Sequence, residues 1–314
     1  MNQKKFYPFI KPNTSENKYL KFFPVMNQDL FQFTTITRHL KKRRRILISA
    51  WSLFDGKKFK LFPRSFSEIF LDSGAFSMMS SGKKYHYNTK ELADFVVESL
   101  PTIACPLDFP LHFHDHQTKT KYSMEFAINQ TVENTREFFD LTDQVKKEVT
   151  RIAVLQGETV EDYLLCYDLL KEQGLTNEKL AIGSLCTRKQ TSEIVKILAK
   201  IGEETKRKFH AFGVSAAIFS TKYRIHDYLE SFDSMSWFYP RKFGRITVFL
   251  KPTNRLVELN AKNELTAQEF LVCLFNNYQE YIDFLIQKDF AKAKNTRLDS
   301  FLFQNMPKIE EVKT

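Results

Sequence analysis

The sequence predicts an α/β protein, a (β/α)8 TIM barrel folded as a single domain, and three observations lead there. Eight short apolar runs recur along the chain, segments of helical periodicity lie between them, and six of the runs end on a polar residue or a glycine. The length of 314 residues accommodates such a barrel, for which roughly 250 residues is typical.

The runs are FFPV (22–25), RILISA (45–50), IFLDS (69–73), IACPLD (103–108), RIAVLQG (151–157), LAIGSL (180–185), FHAFGV (209–214) and SFDSMS (231–236). Each has the length and apolar character of a strand covered on both faces. The intervening amphipathic stretches predict helices around 90–100, 123–148, 159–173, 188–205 and 220–229. Thr159, followed three residues later by Asp162, is an N-cap signal. Residues 264–289 read as the closing helix, so the barrel core spans about 20–290 with short extensions. The chain shows no internal repeat, low-complexity tract or linker.

Composition narrows the function classes. A chain that is 43% hydrophobic and 27% charged has the balance of a soluble globular protein. No apolar stretch approaches the roughly 20 residues of a membrane helix, and MNQKKFYPFIKPN lacks the apolar segment of a secretory signal. A cytoplasmic protein without membrane contact is therefore expected. Cys105, Cys166, Cys186 and Cys273 are isolated, with no CxxC, which indicates neither a disulfide framework nor a thiolate zinc site. The net charge of +10 and pI near 9.2 favour a polyanionic partner such as nucleic acid. The run Lys41-Lys42-Arg43-Arg44-Arg45 fits phosphate contact or a solvated face equally. His112, His114 and His116 alternate with Phe113 and Asp115; the spacing suits a metal held with Asp115, phosphate contacts near Asp108, or a solvated surface loop.

The chemistry is expected where the strands end. Asp72, Asp108, Gln156, Gly183 with Ser184, Gly213 and Asp233 stand at the ends of six different runs. A single Asp there is often a helix N-cap. Six such positions at one end of successive strands are harder to explain as caps, because buried strand termini have no structural need for Gln and Gly. Asp72 and Asp233 then form a carboxylate pair able to divide acid/base and nucleophilic work.

These residues resemble the tRNA-guanine transglycosylase superfamily. FLDSGAFS resembles its DSGG-aromatic segment, VLQG its VQG, LAIGSL its glycine-rich strand, FHAFGV its LMGVG, SFDSMSW its nucleophile-bearing FD segment and FFPV its first strand. DSGAFS and Trp237 bring the sequence closest to the DNA-modifying relatives called DpdA, the 7-deazaguanine DNA transglycosylases. The similarity spans about 20–245 and is sparse between the motifs.

The resemblance implies that Asp233 is the nucleophile and Asp72 the general acid/base. It implies a purine pocket in which Asp108 accepts from guanine's N1–H and 2-amino group and Gln156 contacts the O6 edge. Ser73 and backbone groups of Gly183, Ser184 and Leu185 complete it, with Phe76 and Phe212 stacking on the base. Gly74 and Gly213 would let the backbone approach the ligand. No metal or organic cofactor is implied. The structural zinc of the tRNA enzymes needs a CxCxxC after the last catalytic strand, whereas here only Cys273 follows Asp233. DNA is therefore preferred as the polymer, with tRNA the alternative and a 7-deazaguanine base as the second substrate. Cys186 and Thr187 also depart from the small residue and VGE segment of the tRNA enzymes. A homodimer, a partner subunit, or a catalytically silent nucleic-acid-binding barrel are further readings; the last has no need of both Asp72 and Asp233.

Overall fold

The computed structural model describes residues 20–26, 45–62, 66–110, 122–236, 245–250, 253, 255–260 and 267–292. The strands β1 (Lys21–Met26), β2 (Arg45–Ser49), β3 (Glu68–Asp72), β4 (Ile103–Ala104), β5 (Thr150–Leu155), β6 (Lys179–Ile182), β7 (Phe209–Ala211) and β8 (Leu229–Ser234) pair in parallel in that order. β8 pairs back onto β1, with Phe23 opposite Asp233, and the barrel closes. All eight predicted runs contribute a strand. The run at 103–108 yields only two ladder residues, since Pro106 has no N–H to donate.

Alternation along each strand separates two cores. Phe23, Leu47, Phe70, Ile103, Cys105, Ile152, Val154 and Ala181 fill the barrel interior. Their neighbours Phe22, Ile46, Ile48, Ile69, Leu71, Ala104, Ala153, Leu155, Leu180, Ile182, Ala211 and Phe232 pack outward against the helices. Each fully buried Val, Leu, Ile or Phe among them contributes about 1.5–3 kcal/mol. The same parity carries Asp72, Gln156, His210 and Asp233 to the inside of the barrel.

The outer layer comprises α1 (Ala50–Leu53), α2 (Ala75–Ser81), α3 (Thr89–Ser99), α4 (Met124–Leu141), α5 (Val160–Glu172), α6 (Thr191–Thr205) and α7 (Ala267–Phe290). Capping boxes start α3, at Asn88 and Glu91, and α5, at Thr159 and Asp162 as the sequence predicts. The helix expected over 123–148 ends at Leu141, and a 3-10 turn at Asp143–Val145 follows.

The helix expected over 220–229 does not form. Two 3-10 turns, Ala216–Ser220 and Ile225–Asp227, occupy this stretch, and β8 begins at Leu229. Its backbone groups are satisfied from α7 and the turn that follows it rather than by an internal ladder. The Lys292 Nζ donates to the carbonyls of Phe219, Thr221 and Tyr223, and Asp289 accepts from the His226 N–H. A further difference is an antiparallel hairpin, β9 (Arg245–Leu250) and β10 (Arg255–Asn260), placed before α7. Two β-rich runs around a Pro-Thr-Asn turn, RITVFL and RLVELN, carried that signal. No helix among the described residues is long and apolar enough to cross a membrane. Lys41–Arg44, the His112–His116 segment and Trp237 lie outside the described residues.

Candidate active site

The C-terminal ends of β3, β5, β6, β7 and β8 converge on one mouth, joined by Asp108 from the loop after β4. Asp233 is buried at the end of β8. Its Oδ1 accepts from the Nε2 of His210 at 3.1 Å and from the Gly213 N–H at 3.0 Å. A carboxylate only accepts, so Nε2 of His210 carries the hydrogen. In the neutral ring Nδ1 then accepts from the Ser231 hydroxyl, 2.9 Å away. Two donors on one oxygen orient the carboxylate and leave Oδ2 without a hydrogen bond from the described residues.

His210 is fully buried between the Phe70 and Phe212 rings, 4.6 Å from each. Sequence reasoning missed this residue. The alternation in FHAFGV, which places His210 and Phe212 on one face and Phe209 and Ala211 on the other, was the signal available.

Asp72 has a different environment. Its Oδ2 accepts from the Gly74 N–H at 3.1 Å, while the buried thiol of Cys105 lies 4.0 Å from Oδ1. Burial raises its pKa well above the ordinary carboxylate value, and the charges of Asp108 and Asp233 raise it further. Asp72 therefore holds a proton where an exposed aspartate would be ionised. Burial also keeps the Cys105 thiol protonated, and Cys105, Cys166 and Cys186 are free.

A hydrogen-bonded chain crosses the floor. The Ser73 hydroxyl donates to Asp108 Oδ1 at 2.5 Å, Gln156 Nε2 donates to Asp108 Oδ2 at 2.5 Å, and the Ser184 hydroxyl donates to Gln156 Oε1 at 2.6 Å. Asp108 is pushed up to about 6 by burial, which outweighs both donors. Among the described residues no other side chain donates to the Asp108 carboxylate, and the second Gln156 amide hydrogen has no acceptor. Two tyrosines missed in the sequence support this floor. Tyr87 donates to the Ser73 carbonyl at 2.6 Å and Tyr85 to the Asp108 carbonyl at 2.9 Å.

The glycines serve the protein's own packing. Gly213 has φ +65°, and a Cβ there would stand 2.5 Å from that of Cys186. At Gly74 the space is taken by Trp51, 2.6 Å away. The space beside these two glycines is thus filled by Trp51 and Cys186 of the protein itself. Gly183 makes room for the Gln156 amide, whose Nε2 would lie 2.5 Å from a Cβ at that position. Its N–H donates to the Leu155 carbonyl and its carbonyl accepts from Tyr163, so both backbone groups are already engaged. The Leu185 side chain is wholly buried in the helix-side core. Phe76, in contrast, is 55% exposed at the start of α2. Phe212 is half-buried over the interior core.

Among the described residues the arrangement offers one oriented carboxylate with an oxygen left open, one carboxyl whose pKa is raised, and a polar floor with acceptor and donor capacity to spare. The sequence was compared with known proteins. No curated protein matches it. The sequence model of the family described as DpdA, DeoxyPurine in DNA protein A, matches residues 56–246, which takes in β3 through β8 and every residue of the site above except Trp51. Because that match covers more than half of the chain, the protein belongs to the DpdA family.

Proposed function

We propose that this protein exchanges guanine in DNA for a 7-deazaguanine base such as preQ0, through a glycosyl-aspartate intermediate. Membership in the DpdA family supports DNA modification as the class of reaction. The observation that carries the chemistry is the opposite setting of two carboxyls at one barrel mouth: Asp233 held by two donors, Asp72 kept protonated by burial and neighbouring charge.

In the first step Asp233 Oδ2 attacks C1′, the C1′–N9 bond breaks, and its electron pair leaves with guanine as Asp72 delivers a proton to the departing base. Asp72 is then a carboxylate. It takes the proton from the incoming base, whose N9 attacks C1′ and expels Asp233. Two displacements at C1′ restore the original configuration. The target nucleotide must be extrahelical, since C1′ and the Watson–Crick edge are not both reachable inside the stack.

Guanine recognition uses what the floor leaves open. The lone pairs on Asp108 match guanine's N1–H and 2-amino donors, the spare amide hydrogen of Gln156 matches O6, and Phe76 and Phe212 supply ring faces. Asp108→Ala should weaken guanine and preQ0 binding by about 1–3 kcal/mol, the usual cost of a lost charge-assisted hydrogen bond. Phe76→Ala should weaken guanine, preQ0 and adenine alike. Calorimetric titration of the three bases separates the roles; unchanged guanine affinity in Asp108→Ala would remove it from the pocket.

The reaction is tested by mass spectrometry of nucleosides from DNA and from tRNA incubated with the protein and labelled guanine or preQ0. Label in DNA is expected. Label in tRNA alone would overturn the choice of polymer. With a net charge of +10, DNA affinity should also fall linearly on a log-log plot against salt, with a slope of roughly −0.7 per phosphate contacted on a single strand.

A further inference from the structure

Beside the pocket, Trp51 after β2 meets His86 and Tyr85 of the segment joining α2 to α3 in an aromatic rim, and the same segment carries Lys83; base exchange itself uses neither Trp51 nor His86. Trp51, in α1 directly after β2, is half-buried against the Asp72–Gly74 turn and occupies the space over Gly74. The Gly74 N–H holds Asp72, so the backbone and Cβ of Trp51 stand next to the turn that carries Asp72, and its indole packs on His86 and Tyr85. His86, exposed on the segment joining α2 to α3, packs its ring 4.5 Å from Trp51 at a 43° tilt. The Tyr85 ring lies 6.5 Å from Trp51, and its hydroxyl donates to the Asp108 carbonyl. Rim and pocket floor therefore share one framework. Lys83 is exposed three residues before His86. Ser49, opposite Asp72 in register, has a buried hydroxyl without a hydrogen-bond partner among the described residues.

A polynucleotide that extrudes one nucleotide into the pocket brings its neighbours to this rim. Their bases lose a stacking partner, and a ring face replaces it without regard to sequence. Their phosphates arrive with negative charge that a lysine offsets. We propose that the rim holds the nucleotide adjacent to the target, its base against the Trp51–His86 pair and its phosphate on Lys83. The assignment rests on the proposed function in taking DNA as the substrate and this barrel mouth as the place where the target nucleotide enters.

The test is fluorescence anisotropy with a labelled single-stranded oligonucleotide containing one guanosine, compared with the same strand carrying abasic sites on both sides of it. The parent protein should bind the abasic strand about tenfold more weakly, the scale of one lost base-aromatic stack. His86→Ala and Trp51→Leu should bind both strands alike, at the weaker level, while the KM for free preQ0 in exchange stays at the parent value. Lys83→Gln should weaken both strands and lower the salt slope by about 1. His86 is exposed, so its variant reads out binding even where Trp51→Leu disturbs packing. A His86→Ala protein that melts with the parent and still discriminates tenfold between the strands would overturn the proposal. Absence of any base exchange by the parent would instead overturn the proposed reaction, and the binding comparison would still decide the rim.

Discussion

Asp233→Asn should lose base exchange by roughly 10⁴-fold or more, because the substitution removes the nucleophile of the proposed reaction. The geometry makes this variant a clean probe. The amide oxygen of Asn still accepts from His210 and Gly213, which bind Oδ1 in the native site. The atom in the Oδ2 position becomes an amide nitrogen, which does not attack C1′. Folding should therefore be preserved, with a melting temperature close to that of the parent. Denaturing mass spectrometry of the protein mixed with a guanosine-containing oligonucleotide should show a covalent adduct in the parent and none in the variant. Turnover within tenfold of the parent would take the nucleophilic role from Asp233. His210→Ala, which frees the carboxylate to rotate, should lower kcat more than it raises KM, since it acts through Asp233 rather than on DNA.

Asp72→Asn should cost about 10²- to 10⁴-fold in kcat/KM, the usual worth of a positioned general acid. Its pH behaviour follows from the direction of the shift. Asp72 is raised by burial first and by Asp108 and Asp233 second, so its active protonated form persists above the usual aspartate range and is lost as pH climbs through the raised value. Asp108, at about 6, must be ionised to accept from guanine. The parent's kcat/KM should be bell-shaped, with an acid limb near 6 from Asp108 and an alkaline limb from Asp72. The variant should lack the alkaline limb. Stability carries the opposite mark. A carboxyl whose folded pKa lies above its unfolded value opposes folding once pH exceeds the unfolded value near 4, and fully so above the folded value. Asp72→Asn should accordingly be more stable than the parent at pH 8 and lose that advantage at pH 4. Equal melting temperatures at both pH values would show that Asp72 is not held protonated.

The barrel was legible because its strands are buried on both faces. RILISA, RIAVLQG and LAIGSL are near-continuous apolar runs, and their ends at Gln156 and Gly183 stood out against that background. The stretch at 220–229 was misread because periodicity shows only where apolar residues recur. It does not show that Lys292 and Asp289, more than 60 residues away in sequence, satisfy the backbone there. The hairpin at 245–260 had a readable turn and was overlooked because the closing helix was expected to follow β8 directly.

The site divides along the same line. By itself the sequence determined which residue types end the strands, and hence that two aspartates, an amide and small residues meet at one barrel mouth, because strand order and parity are local properties. Only the tertiary structure decided how those groups are shared. It placed His210 on Asp233, joined Ser73, Asp108, Gln156 and Ser184 into one chain, and turned Gly183, Gly74 and Gly213 toward Gln156, Trp51 and Cys186. Each of these contacts links residues 23 to 48 positions apart. Hydrogen-bond partners and pKa values depend on distances and burial that exist only once the sheet has closed, and no spacing along the chain encodes them.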